Sequence, residues 1–429
     1  MRPSNTLPLP LCLVIAVGFC VSADAQLSTY APPGDLRGDP VSQRDKISQD
    51  TQEARWKFGP VRVEPELSLR NLSYLTDVFS GSDEPETSDL TATISAGLQA
   101  YIPLGGKTTA VAYYLPQYVW WQKLEDRRRF NDRFGGGIFA YFNRLTLEVS
   151  ARSDENQRFV SSEFEQAIVT KEDDLRFGAE VALRNSMWLF SSFYSTDYRH
   201  LVEETEDSRT APFDRLDRDE ELLEVGFRLR LKSDWFFKLG VEVSEAIFRN
   251  PDNDLSNSGT TPFLEVDFNR GGRQLYLRLN QRDLEGEPGS KFLELDETTG
   301  SFQVGFEPRS RLTLISYGRR SVTYSIGDGF VYSIDDRLGA AAKMSFGRRT
   351  SLEIYAETGD SDYTASQLLG PDRKDEYQGY GARLEFRLRP NSTFRLGAAE
   401  TDFDSSIAEF DRSFTRLTAN LTFGGSSWP

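Results

Sequence analysis

The 429-residue sequence predicts an all-β fold, a transmembrane antiparallel up-and-down β-barrel of about 18 strands with short periplasmic turns and long extracellular loops. Three observations carry that expectation. Apolar and polar residues alternate with period two over stretches longer than an ordinary strand. The connections between those stretches alternate strictly between short and long. No stretch after the N-terminus approaches the roughly 18 consecutive apolar residues of a membrane-spanning helix.

The clearest alternation lies in 221–249. Leu223, Val225, Phe227, Leu229 and Leu231 occupy every second position, with Glu224, Gly226, Arg228, Arg230 and Lys232 between them. A Lys232-Ser233-Asp234 turn follows. Phe237, Leu239, Val241 and Val243 then alternate with Lys238, Gly240, Glu242 and Ser244. One face is apolar throughout and the other charged, over the roughly 9–11 residues that a tilted strand needs to cross a bilayer. The same unit recurs in 90–99, 275–280, 338–346 and 380–389. A charge facing lipid at mid-bilayer costs about 2–4 kcal/mol, so the charged members are expected to face the lumen.

The short connections are 103–106, 143–144, 185–186, 232–234, 269–272, 307–309, 347–349 and 389–392, rich in Gly, Pro, Asn and Asp as tight turns require. The long ones are 79–88, 124–132, 152–174, 198–219, 249–260, 283–297, 320–336, 358–376 and 402–412. Nine long connections against eight short ones give an even strand number, with both barrel ends on the short-turn side. A water-soluble β-protein has no reason to gather all its long loops at one end. Aromatics recur beside the short turns (Phe142, Trp188, Trp235, Phe268, Phe306, Phe346 and Phe394), as in a membrane–water girdle. Their β-propensity explains their number but not that position.

Residues 1–25 read as a signal peptide, with Arg2, an apolar run over 7–21 and Ala23-Asp24-Ala25; an uncleaved helix is the alternative. Both cysteines, Cys12 and Cys20, fall in that leader. Export without disulfides suits an outer-membrane location, with outer-membrane lipid as the surroundings. Residues 26–57 are expected to form a periplasmic tail with one short helix; a plug inside the barrel or a partner-binding segment is the alternative. The barrel itself is expected over 58–423. Its last strand ends in Phe423, as expected of a chain handed to the barrel-insertion machinery, and 424–429 follow as a periplasmic tail.

A net charge of −16, with the acidic residues gathered in the long loops, argues against nucleic acid as a partner. The mean hydropathy of −0.49 is compatible with a barrel, whose inward residues are polar.

Phe58-Gly59-Pro60-Val61-Arg62-Val63-Glu64-Pro65, then Leu67-Ser68-Leu69-Arg70-Asn71-Leu72-Ser73-Tyr74 and Asp77-Val78-Phe79, resemble the first strand of a group of outer-membrane β-barrel porins often associated with exopolysaccharide export. Phe142-Asn143-Arg144-Leu145-Thr146-Leu147 is similar to a later stretch of the same group. The resemblance implies a pore or export accessory without catalytic residues. It adds polysaccharide as a candidate solute and a polysaccharide export complex as a candidate partner.

Catalysis has little to work with. The one histidine, His200, opens a long loop. Ser195, Asp197 and Asp214 are its candidate partners in a hydrolase, and an exposed loop histidine is the plainer reading. No cofactor and no metal centre are expected. Asp252-Asn253-Asp254 begins like a calcium loop, but Asn257 replaces its glycine and Phe263 its final glutamate. The acidic run 203–207 is either a loose divalent-cation binder or a solvated loop.

The lumen is the informative region. Arg176, Glu180, Arg184, Glu224, Arg228, Arg230, Lys238, Glu242, Arg278, Arg282, Glu353, Arg383, Glu385 and Arg387 are the candidate pore-lining residues, with Arg319 and Glu357 beside them. Opposed Arg and Glu arrays line an aqueous path in one reading and pair across strands in the other. A ring of about 18 strands is too wide for side chains alone to fill, so both roles are expected. The expected function is a passive or gated diffusion channel for polar solutes. A non-conducting scaffold, with acidic loops that bind a partner or divalent ions, is the alternative, and an outer-membrane hydrolase the third.

Overall fold

The structure, a computed structural model, describes Gly34, Leu36 and residues 43–75, 88–161, 164–201, 211–326, 329–365, 373–389 and 392–424. The expected leader (1–25), the tail 425–429, the acidic run 203–207 and Asp77-Val78-Phe79 lie outside the described residues.

The strands in chain order begin with β1 Val61–Leu75 and β2 Asp89–Gly105. β3 has two segments, Thr108–Tyr114 and Gln117–Trp121, and β4 likewise, Arg129–Asn131 and Arg133–Tyr141. β5 Leu145–Ser161, β6 Phe164–Arg184, β7 Met187–His200, β8 Arg218–Lys232 and β9 Trp235–Phe248 follow. Next are β10 Asn257–Arg270, β11 Arg273–Gly286, β12 Leu295–Arg309, β13 Leu312–Tyr324 and β14 Phe330–Phe346. β15 Thr350–Ala365, β16 Arg373–Arg389, β17 Ser392–Ser405 and β18 Arg412–Gly424 complete the ring. Each strand pairs antiparallel with its neighbours, and β1 pairs with β18 (Leu67 with Phe423, Tyr74 with Leu417), so the 18-stranded sheet closes on itself. Closure leaves no edge, which a backbone in hydrocarbon cannot afford.

The barrel is inside-out. Leu239, Val241 and Val243 of β9 are exposed on its outer surface, Val243 by 51%, whereas Glu242 is 2% exposed. On β2, Ile94 and Leu98 point out while Thr91, Thr93, Ser95 and Gln99 are buried inside. The described short turns fall where Gly, Asn, Ser or Arg interrupt the alternation, but the turn expected at 307–309 lies at Ser310-Arg311, because a bulge between Phe306 and Arg309 carries β12 past Pro308. The opening run Leu67-Ser68-Leu69-Arg70-Asn71-Leu72-Ser73-Tyr74 slips phase by one residue. A bulge at Arg70-Asn71 absorbs the slip, with Asn71 at φ +50° and its N–H donating to Asn420 Oδ1 at 2.7 Å. Without it, Tyr74 would turn inward.

Three departures from the sequence reading matter. The ladders run beyond the apolar stretch, so much of the expected loop 152–174 is a continued hairpin, paired as far as Ser161 with Phe164. Backbone pairing needs no apolar side chain, so loss of alternation marks the membrane boundary and not the strand end. Trp188 leaves the expected girdle: it shares the inward register of β7 with Phe190, Ser192 and Tyr194 and pairs with the inward Arg228, whose guanidinium lies 4.8 Å from its ring. The expected loop 320–336 is mostly hairpin too.

That hairpin folds into the barrel. The β12–β13 ladder ends at Gly300–Arg320, while β13 and β14 stay paired up to Tyr324–Tyr332. The tip reaches the inner wall of β9 and β10. There the Tyr324 hydroxyl accepts from Asn257 Nδ2 at 2.8 Å, and its ring lies edge-on to Phe248 at 4.8 Å. Leu216, Leu255 and Phe292, from three neighbouring loops, join Val322 and Tyr332 in one buried apolar cluster at the extracellular end.

The periplasmic half holds part of the N-terminal segment. Helix α1 (Gln43–Glu53) is polar except for Ile47, which packs on Tyr101, Val111, Phe139 and Tyr141 of β2–β4. Leu36 packs on the inward Tyr317, Ala341 and Tyr355 of β13–β15. The chain leaves at the rim through the three-residue strand Trp56–Phe58, which folds back on β1.

Leu239→Arg on the outer face is expected to lower the stability of the barrel refolded into vesicles by about 2–4 kcal/mol. Arg230→Gln, on the inner register at the rim, is expected to leave it unchanged; denaturant titration of both variants is the measurement.

Candidate functional site in the barrel lumen

Register sets the candidate pore-lining residues on the inward side except Arg184, which lies past a register shift and pairs with the outward Met187, and the structure divides the others into two environments. From β4 to β11 the wall is a buried lattice of ion pairs. Arg133 meets Asp154 at 3.3 Å, Arg228 meets Glu180 at 2.7 Å and Lys238 meets Glu224 at 3.2 Å. Arg278 pairs with Glu242 and, at 3.5 Å, with Glu265; Arg176 lies 3.9 Å from Glu148. Aromatic rings back the same cations: Tyr194 under Arg176 at 4.7 Å, Phe190 under Lys238 at 4.8 Å and Phe263 under Arg278 at 4.6 Å. Arg282 is buried and donates to Thr299 Oγ1 at 3.2 Å. In a low-dielectric wall a lone charge would be costly, and pairing removes that cost.

From β15 to β17 the wall leaves its charged side chains exposed to the lumen. Arg383 is paired with Glu353 at 3.2 Å yet its side chain is 45% exposed. Arg395 is paired with Glu385 at 2.7 Å and is 60% exposed. Arg387 is exposed beside them on β16. At the opposite side of the periplasmic rim, Arg184 and Arg230 are exposed, with Arg230 donating to the Asn185 carbonyl at 2.8 Å.

Sequence reading missed Arg395 and a cluster nearer the extracellular mouth. There Arg373 and Arg412 converge on Asp375 at 2.5 and 3.5 Å. Phe410 lies 3.8 Å from the Arg373 guanidinium and Phe403 3.9 Å from that of Arg412. The signal was present, since Arg373, Asp375 and Tyr377 sit at every second position, but the segment carries no apolar partner face and reads as loop. Glu357 proves to be a hub. Its carboxylate accepts from the hydroxyls of Tyr317 at 2.9 Å and Tyr377 at 2.6 Å, and from the backbone N–H of Gly34 at 3.0 Å. The Tyr355 ring is covered by Gly34 and Leu36.

The hydrolase geometry is not assembled. Ser195 and Asp197 lie on the outer register of β7, opposite to His200, and Asp197 is paired with Arg199 and Arg249, each at 3.0 Å. His200 is buried, not an exposed loop residue. Its Nδ1 lies 2.8 Å from Asp217 Oδ1, which also accepts its backbone N–H at 2.7 Å. The calcium-like stretch is a short turn whose side chains cap their own backbone: Asn250 accepts from the Asp252 N–H and Asp254 from the Ser256 N–H. Among the described residues no three acidic or histidine side chains converge to hold a metal ion.

Burial lowers the His200 pKa below its ordinary 6.5, against the opposing pull of Asp217, so the folded state favours the neutral ring. The stability this packing contributes is present above the ordinary value and is lost as pH falls through the lowered one. The protection of the His200 and Leu201 amides, taken as the intrinsic exchange rate at each pH divided by the observed rate, is therefore expected to fall as pH drops from about 7.5 to about 5. His200→Gln should flatten that dependence.

No family model matches the chain, and no curated protein matches it. Among solved structures it is similar to OccAB3 of Acinetobacter baumannii, with a TM-score of 0.53 and 11% identity over 85% of this chain and 99% of that one. It is similar to OccK9 (OpdG) of Pseudomonas aeruginosa, with a TM-score of 0.53 and 13% identity over 85% and 98%. A third neighbour is OccK2 (OpdF) of the same organism in complex with glucuronate, with a TM-score of 0.52 and 10% identity over 85% and 98%. With its ring closed and its apolar face outward, the chain has the fold of these 18-stranded porins and is a β-barrel of the outer membrane.

Proposed function

We propose that the chain is a diffusion channel for small polar solutes, with the hydrated face of β15–β17 as its path. The observation that carries this reading is the contrast between the two walls. The β4–β11 lattice leaves its charges buried and mutually neutralised, which makes it a structural partition. Arg383 and Arg395 instead present paired but water-facing guanidinium groups, with Arg387 beside them. A charge in contact with lumenal water acts on a passing ion, whereas a buried pair is a dipole seen only at close range.

These three arginines stand against Glu353 and Glu385, which tilts the strip towards anions. The solute class that fits is a small hydroxylated molecule carrying a carboxylate. One structural neighbour was solved with glucuronate, a molecule of that kind. Polysaccharide, the solute implied by the sequence resemblance, fits the geometry less well: the β13–β14 hairpin and the N-terminal segment both narrow the lumen. The scaffold reading draws on the outer surface, where Asp336, Asp360, Glu376, Asp402 and Asp404 line a groove of about 960 Å³. Arg320 and Lys374 already pair with Asp336 and Asp360, which favours a solvated collar.

Planar-bilayer recording of the refolded barrel tests the channel. The doubly reversed variant Arg383→Glu/Arg395→Glu is expected to shift the zero-current potential under a salt gradient towards cation selectivity. An unshifted potential in a conducting barrel would place the path elsewhere.

A further inference from the structure

The N-terminal segment meets the inner wall at two places far apart on the ring. Ile47 of α1 is buried among Tyr101, Val111, Phe139 and Tyr141 on β2–β4. On the same side the Tyr101 hydroxyl lies 3.4 Å from Asp50, and the Arg44 guanidinium lies 5.7 Å from the Tyr141 ring. The second place is on β13–β15, seven strands away from the first by the shorter route around the ring. There Gly34 and Leu36 sit against Tyr317, Ala341 and Tyr355. Gly34 and Leu36 therefore engage one side of the lumen and helix α1 the other.

The contact at Gly34 is a built site. Its N–H donates to Glu357 at 3.0 Å, and Glu357 is held by two tyrosine hydroxyls, lies 3.9 Å from Arg337 and has a side chain only 3% exposed. Gly34 has φ +75°, where a side chain is strained, and a Cβ added to it would lie 2.4 Å from the Tyr355 ring. Only glycine meets both conditions. By contrast, the α1 contact rests on one isoleucine of an otherwise polar helix, and Arg55 fixes the exit through Glu64 at 3.2 Å.

Tyr355 is also the ring over which Arg383 lies, at 5.2 Å. The Gly34 contact thus closes directly on the hydrated strip. We propose that Gly34, Leu36 and helix α1 form an intramolecular plug of the channel, tethered at Arg55 and clasped at Gly34, and that loss of the Gly34 clasp opens the path beside Arg383. This inference rests on the channel reading.

Two measurements test it. In planar bilayers the unaltered barrel is expected to be mostly closed. Gly34→Ala is expected to raise the ratio of open to closed channel by about tenfold, equivalent to about 1.4 kcal/mol, and deletion of residues 26–53 by at least as much. The second measurement does not depend on conduction. In a Cys12→Ser/Cys20→Ser background, Leu36→Cys is expected to be shielded from a charged maleimide in the folded barrel. Adding Gly34→Ala should raise its labelling rate by a similar factor. Equal labelling with and without Gly34→Ala overturns the plug. So does equal conductance of the unaltered, Gly34→Ala and deleted barrels. A folded, heat-modifiable deletion barrel that stays silent while labelling responds would overturn the channel reading, and with it a gating role for the clasp.

Discussion

A polypeptide in hydrocarbon has no water to satisfy its backbone, and the rest of this molecule follows from that constraint. Every N–H and C=O at membrane depth must find a partner within the chain, so the sheet has to close, and β1 meets β18 to close it. Closure fixes the period: with side chains alternating in and out, one residue in two must tolerate lipid and the next must tolerate whatever fills the ring. The Arg70-Asn71 bulge shows how strictly this holds. A single extra residue between Leu69 and Leu72 would invert the rest of β1 if the backbone did not take it up, and Asn71 adopts an unfavourable φ to do so.

The same closure creates the opposite problem inside. Eighteen strands enclose more space than their inward side chains can fill, and bulk water would leave a wide, unselective hole. The chain answers with elements that come from outside the ring. The β13–β14 hairpin leaves its neighbour β12 and folds across the extracellular half, where Val322, Tyr324 and Tyr332 find an apolar cluster built from three loops. The N-terminal segment enters the periplasmic half. Between them, the ion-pair lattice of β4–β11 solidifies one side and leaves water to the strip on β15–β17.

These origins explain what was legible in the sequence. Anything set by the membrane could be read, because lipid imposes one rule on every strand. The inward placement of Glu224, Lys238, Glu242 and Arg278 follows from period two, and the even strand number from the alternation of short and long connections. What escaped was set by contacts among distant parts of the chain. Trp188 looked like a girdle residue, yet aromatics stand on both faces of β7 and it falls on the inward one, against Arg228. Arg373, Asp375 and Arg412 lay in stretches without an apolar face and so read as loop, although the ladder continued through them. Nothing local in 320–336 distinguishes a hairpin that folds inward from one that stands in solvent. Its partners, Phe248 and Asn257, are more than sixty residues away.

The proposed channel reading turns on the same division between the two walls. An arginine buried against a glutamate and an aromatic ring, as Arg278 is, has lost its water and most of its field to its partners. It can stiffen the wall but hardly act on a solute. Arg383 has the same partners in kind, a glutamate and a tyrosine, but retains water on its open side. Identical pairings therefore serve different ends according to hydration alone. Hydration is set by what else occupies the lumen. Gly34 and Leu36 lie against Tyr355 and Glu357 beside Arg383, so in the proposed channel the position of the N-terminal segment sets how far the arginine's field reaches.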